Sequence, residues 1–143
     1  MRIFISESVE ETRKIAKDLA KRFLKLRLKK ALIIGLTGEL GSGKTVFTQG
    51  FAKALGIKEK IVSPTFILMR RHDNFYHVDA YRIKKPKEIV DLGWKELINN
   101  PQNIILIEWA EKIEKVLPRG CIRIRFEHIN KRERKITIKM SNN

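Results

Sequence analysis

The stretch ALIIGLTGELGSGKT, residues 31–45, constrains the fold more than any other part of the chain. Its first half is apolar throughout and does not alternate, the pattern of a strand buried on both faces between layers of helix. Its second half places Gly38, Gly43, Lys44 and Thr45 in the spacing GxxxxGK[ST], and residues 44–55, ended by Gly56, read as the helix that follows. Strand, glycine-rich loop and helix in this order make a phosphate-binding loop, or P-loop. Glycines let backbone N–H groups turn inward around a phosphate, and the helix N-terminus adds its partial positive charge. The four fixed positions would match by chance in on the order of 0.005 of chains this long, and the flanking strand and helix lower that further. In such a loop Glu39, Leu40, Gly41, Ser42 and Gly43 wrap the phosphates, Lys44 reaches the β- and γ-phosphates, and the Thr45 hydroxyl ligates Mg²⁺.

A P-loop metal needs an acidic partner at the end of a neighbouring buried strand. NIILIE supplies Glu108 directly after four apolar residues, and HVDAYR supplies Asp79 as a second candidate, with a helix or turn cap as its competing role. His77 has no second ligand at a metal spacing and reads as a packing residue. Cys121, the one cysteine, reads as core. Guanine specificity would call for an NKxD-type element, but the only Asn-Lys pair, Asn130-Lys131, continues into Arg132-Glu133. ATP is the better fit. The sequence also lacks the arginine-rich lid of a small kinase, which favours hydrolysis or switching over transfer to a metabolite.

The remaining segments fit one α/β domain over residues 1–143. RIFIS reads as a strand. Ser8 and Glu11 form an SxxE capping box that opens a helix, with Val9, Thr12, Ala16, Leu19, Phe23 and Leu26 as its core stripe and Lys14, Lys17, Lys21, Arg22 and Lys25 on the solvated face. FILMRR and FYHVDAY read as a strand pair around HDN. EIVDLGWKELI reads as helical, and AEKIEK as a helix after the NIILIEW strand. CIRIRFEHI and ERKITIKM alternate with period two and read as an antiparallel hairpin. The fold expected is a three-layer α/β/α P-loop NTPase with a mixed, mainly parallel sheet.

With 31 Lys and Arg against 16 Asp and Glu, the formal charge of +15 suits an anionic partner, RNA or an acidic protein surface. A lysine-rich solvated surface accounts for it equally well. No segment approaches the roughly 20 apolar residues needed to cross a bilayer. No charged n-region with an apolar stretch opens the chain, which with the unpaired cysteine favours the cytoplasm.

Beyond the P-loop, SPTF at 63–66, YHVDAYR at 76–82, DLGWKE at 91–96 and LIEWAE at 106–111 stand in an order and spacing that resemble the TsaE (YjeE) family of P-loop ATPases. The resemblance runs from Glu11 and Thr12 to the final hairpin. SPTF and the Glu-Trp pair are more distinctive than the P-loop itself, and the departures, Ser42 for a frequent Ala and Val46 for a frequent Thr, touch no required ligand. The resemblance implies a slow, partner-stimulated Mg²⁺-dependent ATPase in the machinery that forms threonylcarbamoyladenosine at position 37 of tRNAs reading codons that start with A. TsaB and TsaD would be its partners. It also implies that Asp79 lies near the γ-phosphate as a metal-shell or water-orienting group, that Thr65 is a switch-type threonine, that Trp109 lies beside the site, and that Thr12 and Arg132 flank the adenine.

The basic face of the hairpin, Arg123, Arg125, Lys135 and Lys139 opposite Ile122, Ile124, Ile136 and Ile138, is then, with the first helix, a candidate surface for tRNA or for acidic parts of TsaB and TsaD. Two other readings remain open at this point, a small-molecule kinase and a non-hydrolysing, nucleotide-gated binding module.

Overall fold

The computed structural model describes residues 1–39, 41–61 and 68–140. Leu40, Thr65 and the rest of SPTF lie outside the described residues. Seven strands are present among the described residues: β1 (Arg2–Ser6), β2 (Leu32–Gly38), β3 (Met69–His72), β4 (Phe75–Asp79), β5 (Ile104–Glu108), β6 (Ile122–His128) and β7 (Arg134–Lys139). They form one sheet in the order β1-β7-β6-β2-β5-β4-β3. The four central strands β6, β2, β5 and β4 are parallel to one another, and the outer pairings are antiparallel. The expected mixed, mainly parallel sheet and terminal hairpin are thus both present.

Alternation along the central strands divides the core into two layers. Leu32, Ile34 and Leu36 of β2, Ile104 and Leu106 of β5 and Phe75 of β4 face α1 (Val9–Phe23) and α2 (Lys44–Ala54), where Phe47, Phe51 and Ala16 complete the packing. Ile33, Ile105, Ile107, Tyr76 and Val78 face the other way, onto Ile89, Trp94, Ile113 and Cys121. Each large apolar side chain buried in this way contributes about 1.5–3 kcal/mol before entropy is counted.

The capping box forms as read: Glu11 N donates to Ser8 Oγ at 3.1 Å, and Glu7 N donates to Glu11 Oε2 at 2.8 Å. The two helices on this face come close because position 50 is glycine. A Cβ there would lie 2.7 Å from the Arg13 carbonyl oxygen, so any side chain would push α1 and α2 apart.

Three local expectations change. Val9 and Leu26 are 42% and 39% exposed, because the helix begins at the first and ends before the second. EIVDLGWKELI is two short helices, α3 (Lys87–Val90) and α4 (Trp94–Asn99), interrupted by Gly93 at φ 84°. AEKIEK winds as a 3₁₀ helix, Ala110–Val116, with non-helical backbone at Ile113. No helix among the described residues is long and apolar enough to cross a membrane.

Candidate functional site

Register carries the candidate residues to one edge. In the parallel pairings Leu36 stands opposite Glu108, and Asp79 opposite Glu108, so the P-loop and both acidic candidates leave the sheet at the carboxyl ends of adjacent strands. That edge is where ligands bind in open α/β sheets. The loop turns through positive φ at Gly38 (140°), Gly41 (74°) and Gly43 (107°). At Gly38 a Cβ would also lie 2.6 Å from the Phe126 carbonyl oxygen, so glycine is required by space as well as by dihedral.

Thr45 Oγ1 donates to Glu108 Oε1 at 3.0 Å. The other carboxylate oxygen, Oε2, lies 2.6 Å from His77 Nε2. His77 and Glu108 are 1% and 3% exposed. His77 therefore does more than pack: it fixes the carboxylate that faces the P-loop threonine. Register predicts this contact once β4 is placed beside β5, because His77 precedes Asp79 by two residues on the same face.

Lys44 is buried, with its ammonium donating to the Gly38 carbonyl and sitting 3.4 Å from the centroid of the Trp109 ring. Burial lowers its pKa from the ordinary lysine value, opposed by the fields of Glu111, Glu108 and Asp79. Trp109 itself adopts φ 60°, a conformation uncommon outside glycine and asparagine, and packs against Tyr81 with ring centroids 5.0 Å apart and planes tilted by 52°. Asp79 accepts a hydrogen bond from Tyr81 N at 3.0 Å. Burial is the largest effect on its carboxyl and raises the pKa, partly offset by that bond.

A cavity of about 330 Å³ lies over this edge, lined by Gly41, Gly43, Lys44, Thr45, Asp79, Glu108 and Trp109, with Val9 and Thr12 from α1 and Arg134 from β7. Thr12 is buried and shares a 2.7 Å hydrogen bond with Ser6 Oγ. Arg132 is exposed in the hairpin turn and does not line the cavity. The arginine that does is Arg134, whose Nη2 donates to the Gly41 carbonyl at 3.1 Å. Glu39 is exposed and does not line this cavity, and its carbonyl accepts from Ser42 N at 3.1 Å.

Two buried polar atoms beside the loop, Ser42 Oγ and Arg134 Nε, have no hydrogen-bond partner among the described residues. Such orphans are rare in folded proteins, and here they flank a cradle built for an anion. Thr45 and Glu108 offer hard oxygen donors suited to Mg²⁺, which takes one or two protein ligands and fills its shell with phosphate and water. No group of three or more His, Cys, Asp and Glu side chains able to hold a metal occurs among the described residues.

A family model described as "Threonylcarbamoyl adenosine biosynthesis protein TsaE" matches residues 6–136. The chain belongs to the TsaE family. It is 40% identical over 141 residues to the tRNA threonylcarbamoyladenosine biosynthesis protein TsaE of Rickettsia felis, covering 95% of this chain and 78% of the relative. The TsaE of Bacillus subtilis is 39% identical over 132 residues, covering 90% and 78%. The crystal structure of Bacillus subtilis YdiB superposes with a TM-score of 0.80 at 32% identity, covering 99% of this chain and 86% of that one. The TsaE match takes in every residue lining the cavity, from Val9 to Arg134.

Proposed function

We propose that this member of the TsaE family binds and hydrolyses Mg-ATP as a component of the machinery that forms N6-threonylcarbamoyladenosine at position 37 of tRNAs reading codons that start with A. It would act with TsaB and TsaD to permit repeated turnover. One observation carries the nucleotide reading: the hydroxyl of the P-loop threonine and a buried strand-end carboxylate meet at 3.0 Å, a pairing that a glycine-rich turn alone has no need of.

The roles follow from position. Backbone N–H groups of residues 39–43 cradle the phosphates, and Ser42 Oγ and Arg134 Nε gain partners at its rim. Lys44 exchanges the Gly38 carbonyl and the Trp109 face for β- and γ-phosphate oxygens, a stronger charge-assisted pairing. Thr45 and Glu108 would hold Mg²⁺, which when bound neutralises charge between the phosphates. His77 keeps the Glu108 carboxylate in register with Thr45. Asp79, at the same edge and with its proton affinity raised by burial, orients the attacking water and accepts its proton. Thr12 on one wall and Arg134 on the other bracket the space beside the phosphate cradle, where the adenosine would lie. Thr65 remains proposed as the switch threonine.

The test is phosphate release from Mg-ATP by the protein and its Lys44→Ala variant, each alone and with cognate TsaB, TsaD and tRNA. Slow release that rises with the partners and disappears in the variant is the expected result. Release that is indifferent to the partners, or equal in the variant, would refute it.

A further inference from the structure

Between α1 and α2 lies an open groove of about 910 Å³. Arg13, Lys14 and Lys17 line one wall, and Lys53, Lys58 and Lys60 line the other. Against these six cations stand two carboxylates, Glu10 and Glu59. No ion pair engages any of the five lysines among the described residues, whereas Glu59 lies 3.8 Å from His72. The walls are well anchored: Gly50 lets the helices approach, and Gln49 Nε2 donates to the Ile61 carbonyl at 3.1 Å, tying the segment after α2 back to that helix.

The hairpin face is different. Arg123 is hydrogen-bonded to Glu114, and Arg125 pairs with Glu127 at 3.3 Å, so much of the charge expected there is already answered within the chain.

We infer that the α1/α2 groove binds the phosphate backbone of RNA. Three features select this partner. Lysine is depleted at protein–protein interfaces while aromatics are enriched, and this groove has five lysines and no aromatic in its lining. Compact ammonium groups suit phosphates, which need position but not planar readout. Finally, Lys17 follows Lys14 and Arg13 by three and four residues, about 4.5–6 Å along the helix, a spacing close to that of successive phosphates along a strand. Without aromatic platforms the groove would hold backbone, not stacked bases. The inference uses the proposed tRNA context only to choose the probe and does not depend on nucleotide hydrolysis.

The experiment is fluorescence anisotropy of a labelled tRNA transcript titrated with the protein between 50 and 200 mM salt. Six phosphate contacts give a log–log salt slope of about −4 to −5, or about 250- to 1,000-fold lost affinity over that range. The variant Lys14→Gln/Lys17→Gln/Lys53→Gln should lower the slope to about half and weaken binding at 50 mM salt at least tenfold, roughly. The matching Lys→Arg triple, which keeps the charge, should bind as wild type does, and both triples should release phosphate from Mg-ATP at the wild-type rate. Three results would each overturn the inference: a glutamine triple that binds tRNA as well as wild type does, loss of binding that instead follows Arg123→Glu/Lys135→Glu, or polyglutamate of matched charge binding as tightly as tRNA, which would make the partner an acidic protein. Failure of the proposed function is separable, since it appears as phosphate release that survives Lys44→Ala.

Discussion

Replacing His77 with leucine isolates what holds Glu108 in place. The leucine keeps the buried volume filled, so the main change is electrostatic: Glu108 loses the 2.6 Å partner of Oε2 and keeps only Thr45 on Oε1, in a site where the carboxylate is 3% exposed. Removing one member of a buried hydrogen-bonded pair costs about 3–5 kcal/mol. For a domain of this size each kcal/mol shifts the melting temperature by about 3–4 °C, so His77→Leu should melt roughly 10–20 °C lower. The assay is thermal and urea unfolding of four proteins: wild type, His77→Leu, Glu108→Gln and the double variant. Glu108→Gln removes the charge that His77→Leu strands, so the double should be less unstable than the sum of the singles by about 2 kcal/mol. A single variant within about 1 kcal/mol of wild type, or additivity within about 0.5 kcal/mol, would refute the claim that His77 positions this carboxylate.

Other outcomes follow from the same geometry. Asp79→Asn should raise stability near pH 7 while abolishing phosphate release. The folded carboxyl has a raised pKa, so its stabilising contribution is present below the unfolded value of 3.8 and is lost as pH rises through the higher folded value; the variant's advantage must therefore grow with pH across that window, and an advantage that shrinks with pH would be inconsistent. In a Trp94→Phe background the remaining Trp109 should change its emission saturably with Mg-ATP as Lys44 leaves the ring, and an unchanged spectrum at saturating nucleotide would place Lys44 elsewhere in the bound state. Cys121, buried with its thiol pushed up to about 11, should resist alkylation at pH 8 until the protein unfolds; prompt labelling of the native protein would contradict its burial. Gly50→Ala should destabilise by about 1–3 kcal/mol, because the added methyl meets Arg13 backbone and not a flexible side chain, and unfolding by urea measures it.

Much of the fold was legible because period and punctuation agree. The unbroken apolar runs of β2 and β5 mark strands covered on both faces, the capping box marks the start of α1, and the alternation of β6 and β7 marks the hairpin. What escaped was decided by single residues within otherwise helical text. Gly93 in the left-handed region splits one apparent helix into α3 and α4. Trp109, also left-handed, turns the chain out of β5 so abruptly that the following AEKIEK winds as 3₁₀ and not α. No periodicity records a reversal of that kind, because it comes from the backbone of one residue.

The site shows the same division. Lys44, Thr45 and Glu108 could be named as candidates from spacing, since a P-loop and a strand-end carboxylate each carry a local signature, and the structure brings them to one edge. His77 and Arg134 could not, because their meaning depends on which strands become neighbours. Parity nevertheless contained the second of them. In β7, Arg134 shares its side of the strand with Ile136 and Ile138, which are buried against α1 and α2, while Arg132 lies before the strand begins, in the exposed turn. A charged residue at an inward position of an alternating strand needs a partner there, and the available one is the loop between β2 and α2: Arg134 Nη2 reaches the Gly41 carbonyl and Nε is left buried beside it with no partner among the described residues. An inward arginine with one spare donor at the rim of an anion cradle is a stronger candidate for contact with bound nucleotide than an outward one two residues earlier. Arg134→Ala should accordingly weaken nucleotide affinity several-fold, while Arg132→Ala leaves it unchanged, as titration calorimetry with Mg-ATP would measure; the reverse ranking would sink the parity argument.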